Sequence, residues 1–290
     1  MRHPPSRVEA GLAQIRVTMC RDGVETPPAQ ADWVIVEEPL QIRVAGDPLA
    51  VTMRTPGHDH ELVAGYLLAE GWIENASDIG SIRHCDRGPD PTNNVIDVLP
   101  APGTALDAER PPPRRQLSTS ACGLCGRDQI DDLLTRAEPL SARTRWDQNQ
   151  LREVTRELRS YQNNYAKTGG GHAAAVIDET GEFLCVREDI GRHNAVDKVI
   201  GRLLLSDELP KTGRALLVSG RVSFEIVQKA AMARFELVLG ISAPSSLAIA
   251  TAERLAITLV GFSRPDGYNV YSAGERLGAA PQQDVSRKLD

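Results

Sequence analysis

Ala215-Leu216-Leu217-Val218, then Ser223 to Phe235, Leu237 to Ile241, Ser245 to Leu255 and Ile257-Thr258-Leu259-Val260-Gly261-Phe262 set the architecture of this chain. Short apolar runs bounded by Ser, Gly and Pro read as strands covered on both faces, and the longer segments between them carry helical spacing. Strand, helix, strand, helix, strand predicts an α/β layer on a mostly parallel sheet. The chain is therefore expected to be α/β, with α+β elements towards its amino terminus. No internal repeat of fixed period is present.

Ligands bind outside the carboxyl ends of the strands in such sheets. Three loops are expected to converge there: Ser219-Gly220-Arg221, Ser242-Ala243-Pro244-Ser245-Ser246 and Ser263-Arg264-Pro265-Asp266-Gly267. They offer hydroxyls, small residues and two arginines, and two of them lead into helix N-termini whose free N–H groups suit phosphate. A nucleotide or similar anion is the functional reading; ordinary connecting loops are the competing one. With neither G-x-G-x-x-G nor a P-loop in the sequence, the familiar dinucleotide and NTPase readings lose support.

Working towards the amino terminus, residues 11–53 hold β-rich runs such as Trp33-Val34-Ile35-Val36 and Leu40-Gln41-Ile42-Arg43-Val44. A helix is predicted over Glu61–Glu70 with Asp59 as its N-cap. A Pro-rich, loop-like stretch from Gly88 to Arg115 is interrupted by Val95-Ile96-Asp97-Val98-Leu99. A second helix is predicted over Leu151–Tyr165, and Thr168-Gly169-Gly170-Gly171-His172 opens into a buried strand, Ala173–Ile177. The linear division expected is a β-rich region with one helix and a Pro-rich linker (1–115), a cysteine-motif loop with helices (116–165) and an α/β domain (166–290).

Ser118-Thr119-Ser120-Ala121-Cys122-Gly123-Leu124-Cys125-Gly126 places two thiols one short turn apart, with Arg127 next and acids following as in the first turns of a helix. A helix N-terminus or a neighbouring cation favours the reactive thiolate, which Asp128 opposes. Four readings stand: a redox pair, a zinc site, a persulfide relay and a structural pair. A thioredoxin-like pair sits in a compact βαβ unit. Zinc needs two further ligands, and no second C-x-x-C exists, although His84-Cys85 or Cys185 remain on offer. A zinc deaminase needs His-x-Glu before Pro-Cys-x-x-Cys; here Ala174 stands two residues after His172, and Ala121 precedes the pair.

His58-Asp59-His60 has His-x-His metal spacing, and a polar helix start explains it more simply. Arg187 to Lys198 is dense in charge: a solvated cap with local ion pairs is one reading, a polar wall facing the cysteines with a proton-exchanging His193 the other. Cys20, Cys85 and Cys185 lie in or beside apolar runs and are expected in the core.

The 290-residue chain is 41% hydrophobic and 25% charged, ordinary for a globular protein. Its net charge of −6 and pI near 5.6 argue against general nucleic-acid or membrane-surface binding. There is no apolar signal-peptide core, no apolar run near the ~20 residues of a membrane helix, and five cysteines do not form a secreted disulfide framework. A cytoplasmic location is expected.

Ser120–Gly126, Gly169-Gly170-Gly171-His172, Glu188–Lys198 and Val260-Gly261-Phe262-Ser263-Arg264-Pro265 together resemble the FdhD family, in the same order and from about residue 30 to about residue 275. The resemblance implies sulfur carriers required for active formate dehydrogenase, forming homodimers. It also implies a cytidine-deaminase-like, three-layer α/β/α fold without the deaminase zinc, preceded by a smaller β-rich part. Sulfur would arrive from a cysteine desulfurase as a persulfide and pass to the molybdenum bis(pterin guanine dinucleotide) cofactor before insertion into apo-formate dehydrogenase. Cys122 matches the persulfide-carrying position and Cys125 its partner, so the resemblance implies a sulfurtransferase with no metal of its own. Phe262, Ser263, Arg264, Pro265, Asp266 and Gly267 match the segment binding the guanine dinucleotide, for which GDP is a mimic. The alternative is a non-catalytic chaperone whose cysteines only grip the cofactor.

Overall fold

The computed structural model describes residues 6–9, 11–21, 24–85, 93–104, 131, 136–141, 144–209 and 211–278. The fold is mixed α/β, as expected, and divides into two compact units, neither contiguous in sequence. The first draws its described residues from 1–125, 160–174 and 185–209, the second from 126–159, 175–184 and 210–290.

In the first unit, β1 (Ser6–Glu9), β2 (Leu12–Arg21) and β3 (Val24–Ile35) form an antiparallel sheet in that order. Cys20, expected in the core, is exposed. It falls on the outward phase of β2 with Arg16 and Thr18, because successive side chains point to opposite faces. Cys85 is half-buried, and Cys185 is buried as expected.

A second sheet runs β5-β4-β7-β6, from β4 (Glu38–Val44), β5 (Asp47–Arg54), β6 (Ile79–His84) and β7 (Val95–Pro100). Ala45-Gly46 joins β4 to β5 with φ of 51° and 91°, the pair of positive values that a two-residue hairpin turn demands. β7, read from sequence as an interruption in a loop, is a central strand, parallel to β4 and antiparallel to β6. Leu40 and Ile42 of β4 and Ile96 and Val98 of β7 are fully buried, so its hydrophobic alternation is what places it inside the sheet.

Helix α1 covers Asp59–Ala69. His58, not Asp59, is its N-cap, with a left-handed φ of 59°. Asp59 turns inward because the buried Arg54 needs a carboxylate: Nε and Nη2 of Arg54 donate to its two oxygens at 3.0 Å each. The predicted helix over Leu151–Tyr165 is broken into α2 (Gln148–Glu157), a 3-10 turn (Leu158–Tyr161) and α3 (Asn163–Thr168). The break is stabilised at its far side, where the Glu188 carboxylate accepts the N–H groups of Asn164 (2.8 Å) and Tyr165 (3.0 Å) that open α3. Helix α4 (Arg192–Leu205) lies against α1 at a crossing with no room for side chains. A β-carbon at Gly65 would fall inside the carbonyl group of Asp197, and one at Gly201 inside that of Glu61.

In the second unit, β8 (Trp146–Asp147) precedes α2, whose first N–H groups are capped by Asp147. The hairpin β9 (His172–Ile177) and β10 (Phe183–Asp189) contributes Ala175–Ile177 and Phe183–Leu184 to this unit. Then follow β11 (Ala215–Val218), α5 (Phe224–Met232), β12 (Leu237–Gly240), α6 (Ser246–Arg254), β13 (Thr258–Arg264) and β14 (Gly267–Ser272). β15 (Leu277–Gly278) pairs with β8. The sheet order is β10-β9-β11-β12-β13-β14. β11, β12 and β13 are parallel, with every residue of β11 and β12 buried, so the strand–helix alternation legible in the sequence is the sheet observed.

Candidate functional site at the strand ends

The loops after β11, β12 and β13 meet at the carboxyl ends of these strands. Val222 donates its N–H to the Ala243 carbonyl at 3.1 Å, Ser245 donates to the Val222 carbonyl at 2.9 Å, and Phe262 donates to the Ser242 carbonyl at 3.2 Å. Two glycines permit the approach. A β-carbon at Gly240 would lie 2.6 Å from Cγ2 of Val222, and one at Gly261 2.8 Å from Cδ of Pro244. The loops also feed α5 and α6. The Ser245 hydroxyl caps α6 by accepting from the Ala248 N–H at 3.2 Å.

The segment singled out in the sequence is the end of β13, a turn and the start of β14. Phe262 holds a left-handed φ of 51° at a bulge in the β13–β14 pairing. For a non-glycine residue this costs on the order of 1–2 kcal/mol, and it turns an aromatic ring outward, 44% exposed. Ser263 faces the other way. It is fully buried, and its hydroxyl pairs with Thr155 of α2 at 2.7 Å. Arg264 is exposed and pinned by Nη1, which donates to the carbonyls of Ser263 and Ile241. Its Nε and Nη2 have no protein partner among the described residues, so most of the donor fork faces outward. Pro265 and Asp266 form the exposed two-residue turn between the paired Arg264 and Gly267. A β-carbon on Gly267 would meet open space. Beside the turn, burial pushes the Tyr268 phenol up, with Arg152 opposing and Asp147 adding to the rise.

Sequence reading missed Thr155, which sets Ser263 from 108 residues away with no local signal. It also missed β14, where Tyr-Asn-Val-Tyr after a Pro-Asp-Gly turn is a hairpin signature. Cys122 and Cys125 lie outside the described residues.

The charged segment Glu188–Lys198 has turned inward within the first unit. Lys198 and Asp189 form an ion pair at 2.7 Å with side chains 1% and 0% exposed. Asp189 also accepts from the N–H groups of Thr55 (3.1 Å) and Gly191 (2.8 Å) and from Nδ2 of Asn194 (3.0 Å). Lys198 donates to the Thr55 carbonyl at 2.9 Å, and Thr55 Oγ1 accepts the Ile190 N–H at 3.0 Å. A solvated cap does not describe these residues, because the Asp189–Lys198 pairing, local as read, is buried; a polar wall facing the cysteines involves residues outside those described. His193 and His172, both half-buried, begin α4 and β9.

His58-Asp59-His60 does not converge on one point. His58 pairs with Glu61 at 3.4 Å, Asp59 with Arg54 and, at 3.6 Å, with His84, whose ring His60 meets edge-on at 5.4 Å. Burial would raise the Glu61 carboxyl, yet bonds and charge from Arg187 and His58 outweigh it and bring its pKa down to about 2. Burial pushes the Cys185 thiol up to about 11, so this cysteine stays protonated. Among the described residues no group of three or more His, Cys, Asp or Glu is arranged to hold a metal ion, and no helix is long and apolar enough to cross a membrane.

Fold and loops define a class: a mixed α/β protein whose strand ends present an exposed aromatic ring, an anchored arginine and two helix starts. The sequence profile of the FdhD/NarQ family matches residues 35–278. The sulfur carrier protein FdhD of Streptomyces coelicolor is 44% identical over 269 residues, which span 90% of this chain and 94% of that protein. The sulfur carrier protein FdhD of Nocardia farcinica is 46% identical over 272 residues, 90% of this chain and 95% of its own. A crystal structure described as that of a formate dehydrogenase accessory protein from Desulfotalea psychrophila superposes with a TM-score of 0.72 at 26% identity, covering 92% of this chain and 99% of its own. The chain belongs to the FdhD/NarQ family.

Proposed function

We propose that this protein is a sulfur carrier serving formate dehydrogenase, and that it moves sulfur as a persulfide on Cys122. The observation that carries the reading is the family match over residues 35–278, which encloses both Cys122 and Cys125, with relatives named as sulfur carriers at 44–46% identity. The Cys122 thiolate attacks the outer sulfur of a persulfide on a cysteine desulfurase. An S–S bond forms on Cys122 as the donor's S–S bond breaks, and the donor leaves as a thiolate with no net oxidation. Attack by Cys125 on the Cys122 sulfur then expels the outer sulfur as hydrosulfide and leaves a Cys122–Cys125 disulfide, which a thiol reductant must reopen.

The acceptor in this reading is molybdenum bis(pterin guanine dinucleotide), held as cargo before insertion into apo-formate dehydrogenase. The strand-end loops suit its nucleotide part. Phe262 offers a ring face for stacking, the free side of Arg264 offers charge-assisted bonds to phosphate, and the starts of α5 and α6 add N–H groups. The same reading makes the chain a cytoplasmic homodimer.

The test is peptide mass spectrometry after incubation with a cysteine desulfurase and isotopically labelled cysteine. A labelled, reductant-sensitive sulfur on the peptide bearing Cys122 and Cys125 is the expected result, and Cys122→Ala abolishes both the label and dehydrogenase maturation. Full maturation by Cys122→Ala would leave a cofactor-binding chaperone in place of a carrier.

A further inference from the structure

Gly261 does more than admit the β12–α6 loop. The β-carbon it lacks would sit 2.8 Å from Cδ of Pro244 and 3.0 Å from Cε2 of Tyr271, so both rings close over the strand at this point. They cover the strand at the residue before Phe262, whose bulge turns its own ring outward. Asn269 is the cross-strand partner of Gly261, and paired residues of an antiparallel ladder point to the same face. Its amide therefore stands next to these rings. It is exposed, and its Nδ2 lies 3.5 Å from the Tyr271 hydroxyl. That contact is long, and it orients the amide rather than holding it. Oδ1 is left facing outward without a partner among the described residues.

An outward acceptor beside two ring surfaces is a base-reading arrangement. The Watson–Crick edge of guanine carries adjacent donors at N1 and N2, whereas adenine places an acceptor at N1. We propose that Asn269, oriented by Tyr271, selects guanine over adenine in the strand-end site, its Oδ1 accepting from N1–H and the 2-amino group of a base laid on Phe262. Asn269 is thus a specificity-determining residue outside the segment Phe262–Gly267. The proposal rests on reading this site as one for a guanine nucleotide. It also accounts for an unbranched polar residue on a β14 face otherwise used by Tyr271.

The test is titration calorimetry of the full-length chain with GDP and, separately, ADP. Wild type prefers GDP. Asn269→Ala lowers GDP affinity about tenfold and leaves ADP within about twofold, as expected when one buried base contact is lost. Asn269→Asp keeps the acceptor and keeps the preference. Because Asn269 is exposed, thermal melting of both variants matches wild type. An unchanged GDP-to-ADP ratio in Asn269→Ala would overturn the assignment while leaving the nucleotide site standing. Failure of wild type to bind either nucleotide would overturn the site itself.

Discussion

Asp189 in the first unit and Arg264 in the second each end a strand and gather polar groups around them, but they are set in opposite surroundings. Asp189 is fully buried with four donors around it, and its charge is matched by Lys198. Arg264 commits one nitrogen to two carbonyls and keeps the remainder in water. The difference separates a polar group that holds a fold from one offered to a ligand. A buried charge is spent on its neighbours, and replacing one partner leaves the other uncompensated. An anchored but unsatisfied donor is pre-organised for something not yet bound.

Four experiments probe this contrast. Lys198→Met strands a buried carboxylate and is expected to lower stability by about 3–5 kcal/mol in denaturant titration; a loss under 1 kcal/mol would mean that Asp189 is not charged in the fold. The Glu61 interaction is next in size. Its folded pKa of about 2 lies below the ordinary 4.5, so its stabilisation is complete above pH 4.5 and is lost as pH falls towards 2. Glu61→Gln should remove roughly 3 kcal/mol of that acid dependence, read from denaturation midpoints across the window. In the second unit, Phe262→Ala should weaken GDP binding about tenfold, near 1.4 kcal/mol, with the melting temperature unchanged. Equal GDP affinity would place the base elsewhere. Smallest is Thr155→Val, which strips Ser263 of its hydroxyl partner and should cost about 1 kcal/mol in stability with GDP affinity intact.

Much of the second unit was legible in the sequence because its signals are local. Apolar runs of strand length alternate with helices, and the loops between them follow from that order alone. The first unit hid its organisation because its decisive contacts are remote. Asp59 reads as an N-cap until Arg54 claims it, and Val95–Leu99 reads as a fragment in a loop until β4 and β6 flank it. Glu188–Lys198 carries the composition of a surface segment, and nothing nearby announces that Thr55, 134 residues away, lies over it. At the site, Phe262 and Arg264 were visible as residue types. Which side chains face outward was not: Ser263 turns inward on a bulge that only the strand register reveals.

The discontinuity of the first unit has a consequence for how the chain is made. Thr55 and Arg54 leave the ribosome long before Asp189 and Lys198 exist. At about 5–20 residues per second the wait for the 134-residue gap is roughly 7–27 s. Over that interval β4, β5, β7 and α1 are nascent chain whose closing helix has not been synthesised, and the side-chain-free crossing at Gly65 and Gly201 cannot form until α4 emerges. Amino-terminal-first folding, the usual protection of a growing polypeptide, is therefore denied to this unit. Its early strands are the segment for which a ribosome-associated chaperone would matter most.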